Sequence, residues 1–77
     1  MIKINGKEYH GDWKLATQEN GEWALFCYFP TASPLTKAKE RHKFNLSFGK
    51  YKGTAMLVEK TEHELEFYST SMLFEEV

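Results

Sequence analysis

A nucleophile, a general base and metal ligands have few sources in this chain of 77 residues: one cysteine, three histidines and a single aspartate. Cys27 stands inside the unbroken apolar run from Trp23 to Phe29, between Phe26 and Tyr28. A reactive thiol needs an electropositive, partly exposed setting that lowers its pKa, so Cys27 reads instead as a small core residue. A pairing with His10, His42 or His63 is open to any fold that brings the two together, but no family-type signature surrounds the cysteine. His10-Gly11-Asp12 and Glu62-His63-Glu64 set imidazole beside carboxylate. In a strand, however, the two glutamates point away from His63. No Cys-x-x-Cys, His-x-x-x-His or calcium-loop spacing occurs, and the scattered glycines form no phosphate-cradling loop. Carboxylates suffice in number for glycoside chemistry, yet nothing places two across a cleft. The expectation is no enzyme, no metal and no cofactor.

Charge carries more information. Ten Lys/Arg against eleven Asp/Glu give a net charge of −1, which excludes a globally basic nucleic-acid binder. That total hides a division. Residues 35–54 hold Lys37, Lys39, Arg41, Lys43, Lys50 and Lys52 against Glu40, a net +5. Residues 55–77 hold six glutamates against Lys60, a net −5. Glu62, Glu64 and Glu66 alternate with His63, Leu65 and Phe67. In a strand they form a carboxylate ladder at about 6.6–6.8 Å spacing. Such a ladder would grip a basic partner or imitate a nucleic-acid backbone; equally, it is how a solvated strand keeps its outer face soluble.

The basic stretch has its own ambiguity. Lysines interleaved with aromatics are the recipe for single-stranded nucleic acid, where each stacked base contributes about 1–3 kcal/mol. Phe44 and Phe48 alternate with Leu46 and read as core, which leaves Tyr51, between Lys50 and Lys52, as the ring expected to be free to stack. The alternating Gly and aromatic signature of RNA-binding domains is missing. Used together, a basic and an acidic face can also pair head-to-tail with other copies of the chain, adding buried area that a small domain lacks.

The elements that must position these charges are strands. Asn5-Gly6 between two short alternating runs is a type I′ hairpin signal. From Tyr9 to Gln18 the alternation puts Trp13, Leu15 and Thr17 on one face and Lys14 and Ala16 on the other, and Asn20-Gly21 repeats the turn chemistry. The apolar run 23–29, closed by Pro30, predicts a central strand buried on both faces. Ser33-Pro34 is a helix-start pair, and 34–42 reads as two helical turns or a loop. Phe44, Leu46 and Phe48 face inward; Gly49 to Gly53 turns or bulges the chain; residues 54–58 and 64–70 form a hairpin; and 71–74 add a short terminal strand. The fold class is therefore all-β, a small antiparallel barrel or sandwich of six or seven short strands in one domain.

A chain of this length buries only about 60% of its unfolded surface, which six Phe, four Tyr and two Trp help to offset. Trp13 and Trp23 are expected in the core; exposed, either would anchor a binding patch. A lone cysteine excludes an intrachain disulfide and fits a cytoplasmic home. No apolar run nears the roughly 18 residues of a membrane span, and the opening Met1–Gly6 lacks an apolar signal region. In size and composition, though not in any motif, the chain is similar to small accessory proteins of phages and mobile elements. The expected function is non-enzymatic: an interaction or assembly module, a structural component or an inhibitor. It would recognise a protein partner or its own copies through Lys37, Lys39, Arg41, Lys43, Lys50, Tyr51 and Lys52 and through the Glu62/Glu64/Glu66 ladder. Single-stranded nucleic acid on residues 37–52 is the alternative.

Overall fold

The computed structural model describes residues 1–33 and 42–75, and every regular element among them is a strand. In chain order these are β1 (Ile2–Ile4), β2 (Lys7–Tyr9), β3 (Asp12–Thr17), β4 (Trp23–Tyr28), β5 (Lys43–Phe48), β6 (Tyr51–Lys60), β7 (Glu64–Ser69) and β8 (Phe74–Glu75). They form one sheet of order β2-β1-β5-β6-β7-β4-β3, with β8 paired to β6, and all pairs are antiparallel. The all-β expectation holds, with eight strands in place of six or seven. Apart from His42, the insertion expected at 34–42 lies outside the described residues, and so do Lys37, Lys39 and Arg41.

Turn chemistry explains the local order. Asn5 and Gly6 take φ of 52° and 85°, as a type I′ turn between Ile4 and Lys7 requires. Asn20-Gly21 behaves differently. Only Gly21 has positive φ; its N–H donates to the Gln18 carbonyl at 3.1 Å, while Gln18 N–H donates to the Glu22 carbonyl. The connection is thus a three-residue loop, and the Asn20 side chain accepts the Glu22 N–H at 3.0 Å. The expected turn over 49–53 is shorter than that. Gly49 opens a two-residue turn between Phe48 and Tyr51, and Gly53 lies inside β6.

The expectation of a doubly buried central strand at 23–29 is corrected. The middle of the sheet is β6, and β4 lies beside the edge strand β3. Trp23, Leu25 and Cys27 are buried, but Phe26 and Tyr28 on the opposite face are 41% and 49% exposed. Period 2 puts alternate residues on opposite faces, and among the described residues no second layer covers the outer one.

The sheet is rolled. Strands β2 and β3 stand at its two ends, yet only His10 and Gly11 join them, and consecutive Cα atoms are about 3.8 Å apart, so the two edges must curl toward each other. At this corner a Cβ on Gly11 would stand 2.7 Å from the Tyr28 carbonyl oxygen and 2.8 Å from the Phe29 ring. Inside the roll, Trp13 meets Phe48 edge-on at 5.1 Å between centroids, and Trp23 lies 5.9 Å from the same ring. Contacts between the inner faces of β3/β4 and β5 divide the molecule into two packed layers. One comprises β1, β2, β5, β8 and the first half of β6; the other comprises the second half of β6 with β7, β4 and β3. Strand β6 crosses between them, its register with β7 shifting between Leu57 and Glu59, a bulge that lets a strand bend. A shortest dimension of 18 Å fits two sheets about 10 Å apart with their outer side chains. The roll stays open, since β2 and β3 are not paired.

Alternate residues from both layers fill the core, among them Ile2, Trp23, Leu25, Phe48, Leu57 and Phe67. Each such side chain contributes roughly 1.5–3 kcal/mol by leaving water.

Candidate interaction surfaces on the two layers

The outer face of the first layer is basic. Strand parity places Lys3 of β1, Lys43, Asn45 and Ser47 of β5, and Lys52 and Thr54 of β6 on this side, opposite the buried Ile2, Phe44, Leu46 and Ala55. Phe74 pairs with Lys52 across β6 and β8, so its ring shares the face; it is 52% exposed. Lys3, Asn45, Ser47, Lys52, Thr54 and Phe74 line an open groove of about 400 Å³. Two ion pairs, Lys3–Glu8 and Lys50–Glu75, both at 3.8 Å, lie within this layer. Exposed pairs of this kind contribute about 0–1 kcal/mol to stability. Glu8, opposite Lys3, offsets its charge, so the net positive charge of this face rests on Lys43 and Lys52.

Among the described residues, the structure does not keep the predicted basic set together. Lys43 and Lys52 share the outer face, while Lys50 sits in the β5–β6 turn with its ammonium 5.4 Å from the Tyr51 ring centroid. Tyr51 has the opposite parity to Lys52 and packs 6.0 Å from Phe48, against the core. It is not the free ring expected from sequence; the exposed ring on this face is Phe74.

The outer face of the second layer is acidic and aromatic. Glu66 pairs with Phe26, Glu64 with Tyr28, and Asp12 with Tyr28 from the other side, so these side chains lie on one face. Lys14, opposite Phe26, is the basic residue of β3 here. The bulge in β6 sets Glu59 directly opposite Glu66. Glu62 falls in the turn before β7, bonded through its carbonyl to the Ser33 N–H at 2.7 Å, so the ladder holds two strand glutamates in place of three. Small hollows of about 120 and 210 Å³ flank Phe26.

The remaining candidate residues have structural partners. His63 Nδ1 lies 2.8 Å from the Thr31 carbonyl and 3.1 Å from that of Phe29, ties that hold the chain leaving β4 against the β6–β7 turn. Those two carbonyls, Thr31 first, raise the imidazole pKa above its ordinary 6.5; desolvation opposes them, and Glu62 and Glu64 add smaller upward contributions. Burial pushes the Cys27 thiol up to about 12, where no thiolate exists at neutral pH. Among the described residues no three His, Cys, Asp or Glu side chains converge on a metal-sized site.

Sequence reasoning missed Lys3, Phe26, Tyr28 and Phe74. The alternation Ile2-Lys3-Ile4 carried the signal for Lys3. Phe26 and Tyr28 were hidden because an all-apolar run shows no parity. No family model, curated protein or solved structure matches the chain significantly.

Proposed function

We propose that this protein is a non-enzymatic interaction module that binds protein through two oppositely charged sheet faces. One observation carries the reading: two large rings, Phe26 and Tyr28, stand in solvent on a sheet face bordered by Asp12, Glu59, Glu64 and Glu66. Exposed aromatics set among charges have the make-up of an interface core with a polar rim. The burial of its one thiol supports a non-catalytic role.

The test is a titration at low salt, followed by amide NMR, with oligolysine, oligoglutamate and a single-stranded oligonucleotide as separate probes. Oligolysine is expected to shift Phe26, Tyr28, Glu64 and Glu66, and oligoglutamate to shift Lys3 and Lys52. Silence toward both peptides sinks the reading. The oligonucleotide arm tests the second function, which draws on the Phe74 ring beside Lys3 and Lys52. Nucleic-acid binding would fall linearly in log–log with salt and weaken in Lys52→Glu, with the Glu64/Glu66 face uninvolved.

A further inference from the structure

We infer that the occupant of the acidic aromatic face is the basic groove of a second copy of this chain, in a head-to-tail contact. The inference rests on the interaction reading above and names its partner. The two features lie on the outer faces of different layers, and the inner faces of those layers pack on each other through Trp13, Trp23 and Phe48. They therefore point in opposite directions. One is a hollow of about 400 Å³ with Lys3, Lys52 and Phe74 at its rim. The other is a ridge in which Phe26 and Tyr28 project beside Glu66 and Glu64. Ring meets ring and ammonium meets carboxylate when the ridge of one copy enters the groove of the next.

Charge also disfavours the symmetric alternatives. Groove against groove opposes lysines to lysines, and ridge against ridge opposes glutamates to glutamates on a face that already sets Glu59 against Glu66. Only groove to ridge is complementary, and like-charge juxtaposition is costly. The 31 × 25 Å outline of the molecule caps the area of one face at roughly 800 Å², which is near the per-partner size of a standard specific interface. Because groove and ridge are different surfaces, each bound copy still presents one of each. The contact is heterologous and repeats into a ring or a filament.

The experiment is absolute mass by light scattering on a sizing column, at several concentrations and at low and high salt, with variants of each surface. The wild-type chain is expected to exceed twice its 9.0 kDa at low salt and high concentration, and to fall to 9.0 kDa in high salt. Lys52→Glu removes the groove and Phe26→Ser removes the ridge, so each variant alone should run as a monomer. Mixed in equal amounts they retain one intact groove and one intact ridge, and should form a 1:1 complex that grows no further. A far-UV spectrum checks that both fold; Lys3→Glu and Tyr28→Ser repeat the cross should either fail. A wild-type chain that stays at 9.0 kDa throughout overturns the inference, as do variants that assemble like wild type or a mixture that stays monomeric. If the monomer still binds oligolysine through Phe26 and Glu66, only the identity of the partner was wrong. If it binds neither peptide, the interaction reading falls with it.

Discussion

Trp23 packs against Gly53: the indole Cζ2 stands 2.7 Å from where a Cβ on that glycine would be, and the ring nitrogen donates to the Ser71 carbonyl at 3.0 Å. The ring is boxed in. Register explains the box: Ala55 faces Ser69 and Tyr51 faces Glu75, so two extra residues loop out between β7 and β8 and close over the indole. The Ser71 hydroxyl also accepts the Thr54 N–H at 2.9 Å, which fixes the loop to β6. Gly53→Ala should therefore destabilise by about 1–3 kcal/mol, the usual cost of overpacking a filled core. A lowered urea midpoint with an unchanged slope, read by tryptophan fluorescence, checks this.

Cys27 gives a second expectation. Its side chain is buried between the layers, and burial holds the thiol near pKa 12. In the native protein an aromatic disulfide reagent should modify it no faster than the chain unfolds, with full reaction in denaturant. Cys27→Ser puts a hydroxyl into an apolar site and should cost about 1–3 kcal/mol, while binding through the outer faces of both layers is retained. Rapid modification under native conditions would reopen a catalytic role.

Much of this architecture is legible from residue order, and the gaps have physical causes. Alternation predicts the inward set Phe44/Leu46/Phe48 because one polar face betrays the other. Asn5-Gly6 gave its turn because few other pairs tolerate two positive φ values. The run 23–29 reads as buried on both faces because its residues are all apolar and show no parity, whereas Phe26 and Tyr28 stand on the solvent face. Gly53 reads as part of a turn, since a glycine that makes room for a ring from another strand looks the same in sequence as one that bends the chain. Tyr51 and Lys52 are neighbours in sequence and therefore occupy opposite faces of β6, which separates a ring from the charge it was expected to assist.

His63 predicts a pH dependence whose sign follows from its partners. The Thr31 and Phe29 carbonyls favour the protonated ring, so the folded-state pKa lies above the ordinary 6.5 of the unfolded chain. A group with a raised folded pKa contributes stability that is fully present below its unfolded pKa and is lost as pH rises through its folded pKa. The difference in urea midpoint between wild type and His63→Asn should thus be largest below pH 6.5 and shrink as pH climbs past the raised value. NMR titration of the His63 ring protons locates that value directly. A midpoint difference that grows with pH would contradict the assignment.

Glu59 and Glu66 supply the last prediction, because they face each other directly across β6 and β7. Like charges in that position oppose pairing, by roughly 0.2–1 kcal/mol relative to a neutral pair, and salt weakens the effect. Glu59→Lys should consequently raise stability at low ionic strength by about that amount, the gain shrinking toward zero in high salt. The same change puts a cation beside Phe26 on the face proposed to receive lysines, so affinity for oligolysine should drop as stability rises. Opposite movement of the two quantities is expected when a fold keeps an unfavourable pair for binding. If Glu59→Lys stabilises the chain and leaves oligolysine affinity untouched, the acidic face is ordinary solvated surface, and the docking role assigned to it is wrong.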